Sequence, residues 1–380
     1  MTRFVQQFMS NSKLNIAFVR RGYSPSGGAE AYLKRTARAL VERGHKVQLI
    51  ATNEWPTSEW SFGQLTHLRV RSSIAFADEL EELRLQIQGN VLMSFERVWR
   101  CDIYRAGDGV HAAWLQRRRK FQMPLQRFIH PLNPKHREIL RLEESLLARG
   151  GTARVIANSE MVKNEIIDFY NYSADRIDIV RNGIRLEEFG SIARLREKAR
   201  QDLELEPSET ALLFAGTGWE RKGLIFAIQA MALGRDRKLR LFVVGRGNPR
   251  PYKAKRVRFL GELADLKPIY AAADIFILPT IYDPFSNACL EALASGLPVI
   301  TTRANGFSEI IEHEVHGSVV DSPHELTQLR DAIQFWSDES RRAAAKSAML
   351  ERASQFDIAK SVDQTLAILA GTDGHAPSCP

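Results

Sequence analysis

The chain alternates short apolar runs of strand length with longer segments in which apolar residues recur on one helical face. Strands that alternate with helices are typical of βαβ units, whose strands form parallel sheets. The pattern occurs before and after a charged, helix-prone stretch, Arg185–Pro207. It predicts an α/β chain with two Rossmann-like domains, residues 1–183 and 184–355, and a final segment, 356–380. The predicted strands include Leu14–Val19, Lys46–Ala51, Leu65–Val70, Val91–Phe95, Arg154–Ser159, Leu239–Gly245, Ile275–Leu278 and Val299–Thr302.

The most informative unit lies in the second half, between the apolar runs Ile275–Leu278 and Val299–Thr302. Ser286 is a good N-cap for the helix that follows it, so the unit is strand, loop, helix and strand. The amino terminus of such a helix lies at the carboxyl edge of the sheet and offers unpaired N–H groups to phosphate. Asp283 precedes that terminus and Glu291 follows it on the helix, so each carboxylate can accept hydrogen bonds from sugar hydroxyls.

A second candidate for phosphate binding is the loop after the strand that begins at Ala211. It contains Gly216 and Gly218, and Arg221 and Lys222 stand at the start of the next helix. Cations are unfavourable at a helix amino terminus, so this pair predicts a bound anion. The spacing differs from that of a Walker A loop.

Two loops of the first half carry further candidates. Gly27 and Gly28 follow the first strand and let backbone approach a ligand closely. The loop lacks the G-x-G-x-x-G pattern, which argues against a dinucleotide cofactor. Asp108 and His111 follow a later strand in a Gly-Asp-Gly-Val-His sequence. A single histidine is more often structural than functional, but the preceding Gly-Asp-Gly context makes a position in the site as plausible for His111 as a structural one.

Composition indicates a water-soluble globular chain: 380 residues, 44% apolar and 26% charged. It contains no apolar run long enough to span a membrane, and the first ten residues contain no secretory signal pattern. Three cysteines, Cys101, Cys289 and Cys379, are far apart and favour a reducing compartment. We therefore expect a cytoplasmic protein.

Most of the net charge of +8 lies in residues 97–149, where twelve Lys or Arg outnumber five Asp or Glu. Within this segment, Trp114–Ile129 interleaves a cation block, Arg117–Lys120, with apolar groups. Three interpretations remain open: docking on an anionic membrane, binding of a phosphorylated acceptor, and a solvated face over a core stripe. No nucleic-acid recognition motif accompanies the charge, so we expect no nucleic-acid partner.

The Asp283–Glu291 stretch resembles the E-x7-E signature of the retaining GT-B glycosyltransferases of family 4, with Asp283 in place of the first glutamate. Arg221-Lys222-Gly223, Gly44-His45 and Asn182-Gly183 also match the family. The resemblance implies two parallel sheets facing across a cleft and a final helix that packs back on the first domain. Within the family, the chain is most similar to glucosyltransferases of the lipopolysaccharide core.

The resemblance also implies the site. Arg221 and Lys222 would hold the donor phosphates, Glu291 the ribose and Asp283 the donor sugar, with His111 and Asp108 at the acceptor. The donor-binding set would be Gly27, Gly28, Gly216, Gly218, Arg246, Phe285, Ser286, Asn287 and Ala288.

The expected function is retaining, metal-independent transfer of a hexose, glucose in the first instance. The donor would be a UDP-sugar and the acceptor a lipid-linked glycan or lipopolysaccharide core, at the inner face of the cell membrane. No cofactor is expected. Two alternatives stay open: another GT-B enzyme such as a nucleotide-sugar epimerase, and a non-catalytic, membrane-associated sugar-binding module.

Overall fold

A computed structural model describes residues 13–24, 27–84, 86, 91–121, 133–234 and 236–371. The chain divides into two units. The first unit contains residues 13–24, Ala29–Arg181 and the helix that begins at Ile358. The second unit consists mainly of Asn182–Asp357.

The first unit is built on a seven-stranded parallel sheet in the order β3-β2-β1-β4-β5-β6-β7. The first strand runs next to both the second and the fourth, so the strand order reverses there and loops at the carboxyl edge diverge. Its elements are β1 (Asn15–Val19), α1 (Gly28–Glu42), β2 (Lys46–Thr52), β3 (Gly63–Leu68), α2 (Ser73–Arg84), β4 (Val91–Ser94), β5 (Cys101–Arg105), α3 (His111–Arg119), α4 (Pro134–Leu147), β6 (Thr152–Ala157), α5 (Glu160–Tyr170), β7 (Ile177–Ile179) and α12 (Ile358–Ala370).

Strand β1 is buried from Ile16 to Val19, as expected of a central strand covered by helices on both faces. The last helix, α12, contributes Val362 and Leu369 to the same hydrophobic core. Its Ser361 hydroxyl lies 2.6 Å from the Tyr32 hydroxyl of α1. The carboxy-terminal helix is therefore part of the first unit, although the second unit precedes it in sequence.

The second unit is a six-stranded parallel sheet in the order β10-β9-β8-β11-β12-β13. The order reverses at β8, which lies between β9 and β11, so the loops after β8 and β11 meet at a switch point. Its elements are α6 (Arg196–Asp202), β8 (Thr210–Ala215), α7 (Leu224–Leu233), β9 (Leu239–Val244), β10 (Val257–Gly261), α8 (Lys267–Ala272), β11 (Ile275–Leu278), α9 (Asn287–Ala294), β12 (Val299–Thr302), β13 (Gly317–Val320), α10 (Leu326–Ser337) and α11 (Glu339–Ser354).

The structure differs from the predicted elements in three places. The third strand is Gly63–Leu68 rather than Leu65–Val70, because its pairing with β2 begins at Gly63. Helix α2 was not predicted. The stretch Arg185–Pro207 contains two short 3-10 turns, Leu186–Glu188 and Ile192–Leu195, before α6, so it is not one helix. Among the described residues, no helix combines the length and apolar composition needed to cross a bilayer.

Candidate functional site

The loop between β8 and α7, Gly216–Gly223, packs tightly against the end of β11. A Cβ atom at Gly223 would lie 1.9 Å from the carbonyl oxygen of Pro279, and its φ is +76°. Only glycine is compatible with both the contact and the backbone conformation. Gly216, with φ +144°, would place a Cβ 2.7 Å from Lys222, so the aliphatic stem of that lysine lies across it. We call this segment the glycine loop.

Main-chain hydrogen bonds attach the glycine loop to the residues that follow β11. The carbonyl oxygen of Arg221 accepts from the Thr280 hydroxyl at 2.9 Å and from the Ile281 amide at 2.8 Å. The Lys222 ammonium lies 2.7 Å from Oδ2 of Asp283, and both side chains are nearly buried. Among the described residues, the Arg221 side chain makes no ion pair or hydrogen bond. The structure thus brings both cations to the acidic loop before α9.

The amino terminus of α9 keeps free donors. The Ser286 hydroxyl accepts from the amide of Cys289 and caps the helix, as the sequence predicts. Within the described part of the chain, the amides of Asn287 and Ala288 have no hydrogen-bond partner. Two N–H groups and the positive end of the helix dipole therefore remain available to an anion.

Asn305 was missed as a site residue. It follows β12, is fully buried, and its Oδ1 accepts from the amides of Ser286 at 3.3 Å and Phe307 at 3.1 Å. The amide of Asp283 donates to the carbonyl of Ala304 at 2.9 Å. These bonds fix the acidic loop against the end of β12. An asparagine before a glycine after a strand is a turn signal, and the turn is what positions Asp283.

Glu291 lies on α9, and the hydroxyl of Tyr270 donates to its Oε2 at 3.2 Å. Tyr270 belongs to α8, is buried, and was also missed. Asn287 Oδ1 accepts from the Asn182 side chain at 2.7 Å. Both contacts orient side chains of the predicted donor set, and sequence spacing gave no sign of them.

The other predicted residues of the donor-substrate site in the second unit lie at the same sheet edge but differ in exposure and in their contacts. Gly218 has φ +73° and open space around it. Arg246 follows β9 and is exposed, with no ion pair to any described residue. The ring of Phe285 is buried against Phe307, with centroids 5.9 Å apart, so its predicted contact with the donor falls to its backbone.

Gly27 follows β1 in sequence and directly precedes Gly28, the first residue of α1. Nearby, Arg20 joins three elements. Its guanidinium donates to Asp108 Oδ2 at 2.6 Å, to Glu30 Oε1 at 2.9 Å and to the carbonyl of Phe95 at 3.1 Å. Burial alone would lower the pKa of Arg20, but the carboxylates of Asp108, Glu96 and Glu30 outweigh it and raise the pKa. The guanidinium of Arg20 thus fixes the position of the predicted acceptor residue Asp108.

His111 is the first residue of α3, which has no side-chain cap of its own. The carboxylate of Glu143, on α4, replaces the cap. It accepts from the amides of His111 at 2.8 Å and Ala112 at 3.1 Å, from Arg97 Nε at 2.7 Å and from the Tyr170 hydroxyl at 2.6 Å. We call these five residues the Glu143 network. Glu143 is fully buried, so the network fixes the start of α3 and with it the position of His111.

The His111 ring lies 3.0 Å from the ring of His136, measured between Nε2 and Nδ1. Burial, with a smaller contribution from Arg97, lowers the pKa of His111 to about 4. The imidazole is therefore neutral at pH 7. It can form hydrogen bonds to a hydroxyl but carries no charge.

The basic segment Trp114–Ile129 is only partly described, because residues 122–129 lie outside the described ranges. Arg117 pairs with Glu165 at 2.6 Å, and the Arg118 guanidinium lies 5.7 Å from the centre of the Trp114 ring. Arg117 is thus a structural cation. Arg119 and Lys120 are exposed.

Two parallel sheets, each with its strand order reversing at a central strand, are the architecture of GT-B glycosyltransferases. The chain belongs to the family 4 glycosyltransferases: residues 26–188 match the Glycosyltransferase Family 4 domain and residues 209–337 match the Glycosyl transferases group 1 domain. Among described residues, no three His, Cys, Asp or Glu side chains are grouped to hold a metal ion.

Proteins similar to this chain differ in their named activities. The lipopolysaccharide glucosyltransferase WaaG of Escherichia coli is 25% identical, over 84% of this chain and 88% of WaaG. A D-inositol 3-phosphate glycosyltransferase of Pseudarthrobacter chlorophenolicus is 28% identical over 93% of both chains. A crystal structure of WaaG superposes with a TM-score of 0.80 at 23% identity, over 94% of this chain and all of that one. Anabaena HepE in complex with UDP-glucose gives 0.73 at 20% identity, over 94% of this chain and all of HepE.

Proposed function

We propose that this glycosyltransferase is a retaining hexosyltransferase that moves glucose from UDP-glucose to a lipid-linked glycan or lipopolysaccharide-core acceptor. The second unit would bind the donor and the first unit the acceptor. The donor assignment draws on HepE, whose structure contains UDP-glucose, and the acceptor assignment draws on WaaG.

The single observation that carries the proposal is the cationic cluster beside the α9 terminus. Lys222 lies 2.7 Å from Asp283, Arg221 is attached to the same loop by its main chain, and the amides of Asn287 and Ala288 are unpaired among described residues. A leaving nucleoside diphosphate gains negative charge as the glycosidic bond breaks. Donors that are already in place stabilise that charge without reorganisation, which is usually the largest contribution to catalysis.

Lys222 would serve both Asp283 and the diphosphate, because an ammonium group has three donors. Asp283 would accept a hydrogen bond from a hydroxyl of the donor sugar. Its side chain is one methylene shorter than the glutamate of the family signature, and Lys222 fixes its position. Glu291 would accept from the ribose hydroxyls, with Tyr270 fixing the carboxylate.

Retention needs no carboxylate nucleophile in this proposal. The acceptor hydroxyl attacks from the face that the diphosphate leaves, and the departing phosphate oxygen takes its proton. His111, neutral at pH 7, would bind an acceptor hydroxyl, and Asp108 would orient another. Neither residue has to transfer a proton.

The decisive experiment is a thermal-shift panel of UDP- and GDP-sugars, followed by product analysis in EDTA. We expect UDP-glucose to give the largest stabilisation and the transferred glucose to keep its anomeric configuration. Epimerised donor without acceptor would support the epimerase alternative. Tight donor binding with no turnover on any acceptor would support the non-catalytic module.

We also propose that the enzyme works as a peripheral protein at the inner face of the cell membrane, through the segment Trp114–Ile129. Because Arg117 is paired with Glu165, the test leaves it unchanged. Arg118, Arg119 and Lys120 become glutamine, and co-sedimentation with anionic vesicles is measured at low salt. Binding should fall several-fold. Equal binding by the variant and the wild type would exclude the segment as the docking surface.

A further inference from the structure

Trp219 has the largest side chain of the glycine loop, and the proposed mechanism does not use it. The residue is only 5% exposed, although its loop lies at the sheet edge where open α/β sheets bind ligands. Its indole contacts Tyr252, with ring centroids 5.8 Å apart, and Phe259 of β10, with ring centroids 5.3 Å apart. The side chain is therefore packed onto the neighbouring part of its own unit and not presented to solvent.

The polar atom of the indole is used inside the glycine loop. Trp219 Nε1 donates to the carbonyl oxygen of Gly216 at 3.0 Å, and among the described residues no other donor reaches that oxygen. A Cβ atom at Gly245 would lie 2.2 Å from the same oxygen, so the backbone after β9 also packs closely against it. The indole thus fixes the orientation of the Gly216 peptide group.

The residue that the indole fixes is the one on which Lys222 rests. A Cβ atom at Gly216 would lie 2.7 Å from both Cδ and Cε of Lys222. Beyond this contact, the ammonium group lies 2.7 Å from Oδ2 of Asp283. A lysine stem has four flexible carbons, so the surface it lies on decides where its charge is held. Contacts therefore run from the indole through Gly216 to the ammonium group proposed to stabilise the diphosphate.

The same ring also supports the turn after β9. A Cβ atom at Gly247 would lie 2.5 Å from Cδ2 and Cε3 of the Trp219 indole, so the backbone of that glycine lies directly on the ring. Gly247 follows Arg246, the exposed arginine of the predicted donor set. One side chain therefore holds two of the segments predicted to bind the donor.

We propose that Trp219 is a positioning residue for the diphosphate: its indole fixes the Gly216 peptide group and through it places the ammonium group of Lys222. This inference rests on the proposed function for the assignment of the diphosphate to the glycine loop. It adds a residue that acts through Gly216 and Lys222 and not by contact with the donor.

The test measures binding of UDP to the full chain by calorimetry, without an acceptor. The variants are Trp219→Phe, which keeps an aromatic ring but loses the N–H group, Lys222→Ala, and their combination. Trp336→Phe is the matched control, because Trp336 is another buried tryptophan of the same unit whose Nε1 donates at 3.0 Å, here to the Ser318 hydroxyl. Ser318 belongs to β13, which ends the sheet order opposite β10.

We expect Trp219→Phe to weaken UDP about three- to tenfold, the effect of one lost hydrogen bond. Trp336→Phe should bind UDP like the wild type. The double variant of Trp219 and Lys222 should bind UDP within about twofold of Lys222→Ala alone, because residues that act through one another are not additive. This non-additivity separates positioning of Lys222 from a general loss of structure.

Gly247→Ala displaces the indole without removing any polar group. The added Cβ would lie 2.5 Å from the ring and push it from the Gly216 carbonyl, so UDP should again bind more weakly. Gly190→Ala is its control, because a Cβ atom there has nothing within 4 Å, and UDP affinity should not change.

Several results would overturn the inference. Wild-type affinity in Trp219→Phe would remove the indole from the binding of the diphosphate, and an equal loss in Trp336→Phe would reduce the effect to stability. Losses that multiply in the double variant would mean that Trp219 does not act through Lys222. A wild type that binds no UDP would remove the diphosphate from the glycine loop. A wild type that binds UDP but transfers no hexose would sink the proposed function and leave this inference standing.

Discussion

The glycine loop of the second unit and the Glu143 network of the first unit both concentrate charge, but their cations are satisfied to different degrees. In the network, Arg97 donates to Glu143 and to the carbonyl of Gly109, and the carboxylate accepts four hydrogen bonds. In the glycine loop, Lys222 has one carboxylate and the Arg221 side chain has no partner among described residues. The cation that stabilises the fold has its hydrogen bonds made within the protein, whereas the cations proposed to bind a ligand have donors left over.

This comparison predicts where substitutions will act. A change in the glycine loop should reduce catalysis and leave the free energy of unfolding nearly unchanged. A change in the Glu143 network should lower the free energy of unfolding more than it lowers the catalytic rate. Charge count alone does not distinguish the two regions, since both contain buried arginine or lysine beside an acid.

The largest effect is expected for Lys222→Ala. Removing one preorganised donor to a developing anion typically costs roughly 100- to 1,000-fold in rate, and we expect kcat for hexose transfer to fall by about 100-fold. Lys238→Ala is the matched control, because this exposed lysine precedes β9 at the opposite edge of the same sheet. If both variants retained wild-type kcat, the glycine loop would not be the place where the diphosphate is stabilised.

Glu143→Gln should have the largest effect on stability. The substitution keeps the shape of the side chain but leaves Arg97 buried without its carboxylate, which typically costs about 3–5 kcal/mol. The neighbouring Glu144, whose ion pair with Arg149 is exposed, gives the matched control Glu144→Gln with little expected change. Urea unfolding measures both. Equal stability of the two variants would mean that the network is not what holds α3.

The fold could be predicted largely from the sequence, because the alternation of apolar runs and amphipathic segments is a local signal. Helix α9 and its cap at Ser286 follow from residues next to one another. Helix α2 escaped prediction because its first turn, Ser73-Ile-Ala-Phe, resembles a strand in composition as much as a helix. The 3-10 turn Ile192–Leu195 packs against α8, a contact that no local pattern contains.

Site residues that belong to a short sequence motif could be predicted individually. The residues that contact them from distant positions in the sequence could not. Lys222 and Asp283 could be named, but their pairing joins positions 61 residues apart. Glu143 lies 32 residues from His111, and Tyr270 lies 21 from Glu291. Nothing in the spacing marks these partners, because tertiary packing alone brings them together.

Tyr270→Phe tests whether the hydrogen bond from Tyr270 to Glu291 contributes to donor binding. Losing the hydroxyl frees the Glu291 carboxylate to rotate, and we expect KM for the donor to rise about three- to tenfold, the loss of one hydrogen bond of about 1 kcal/mol. Tyr172→Phe removes the hydroxyl of another buried tyrosine, which donates to the carbonyl of Thr152 in the first unit. That control should lose similar stability with an unchanged donor KM. An increase of KM in both variants would point to a general loss of structure.

The smallest expected effect is a pH dependence of the free energy of unfolding, which arises from His111 in the Glu143 network and not from the glycine loop. In the folded chain the pKa of His111 is lowered from 6.5 to about 4, chiefly by burial and then by Arg97. Between these values the unfolded chain binds a proton at His111 that the folded chain does not, so the stabilisation is complete above pH 6.5 and decreases as the pH falls. We expect the free energy of unfolding to decrease between pH 6.5 and 5, and to decrease less in His111→Asn. Above pH 7 the two pH profiles should run parallel, because the histidine is then neutral in both states. Identical slopes for the variant and the wild type between pH 6.5 and 5 would show that His111 is not desolvated by the Glu143 network.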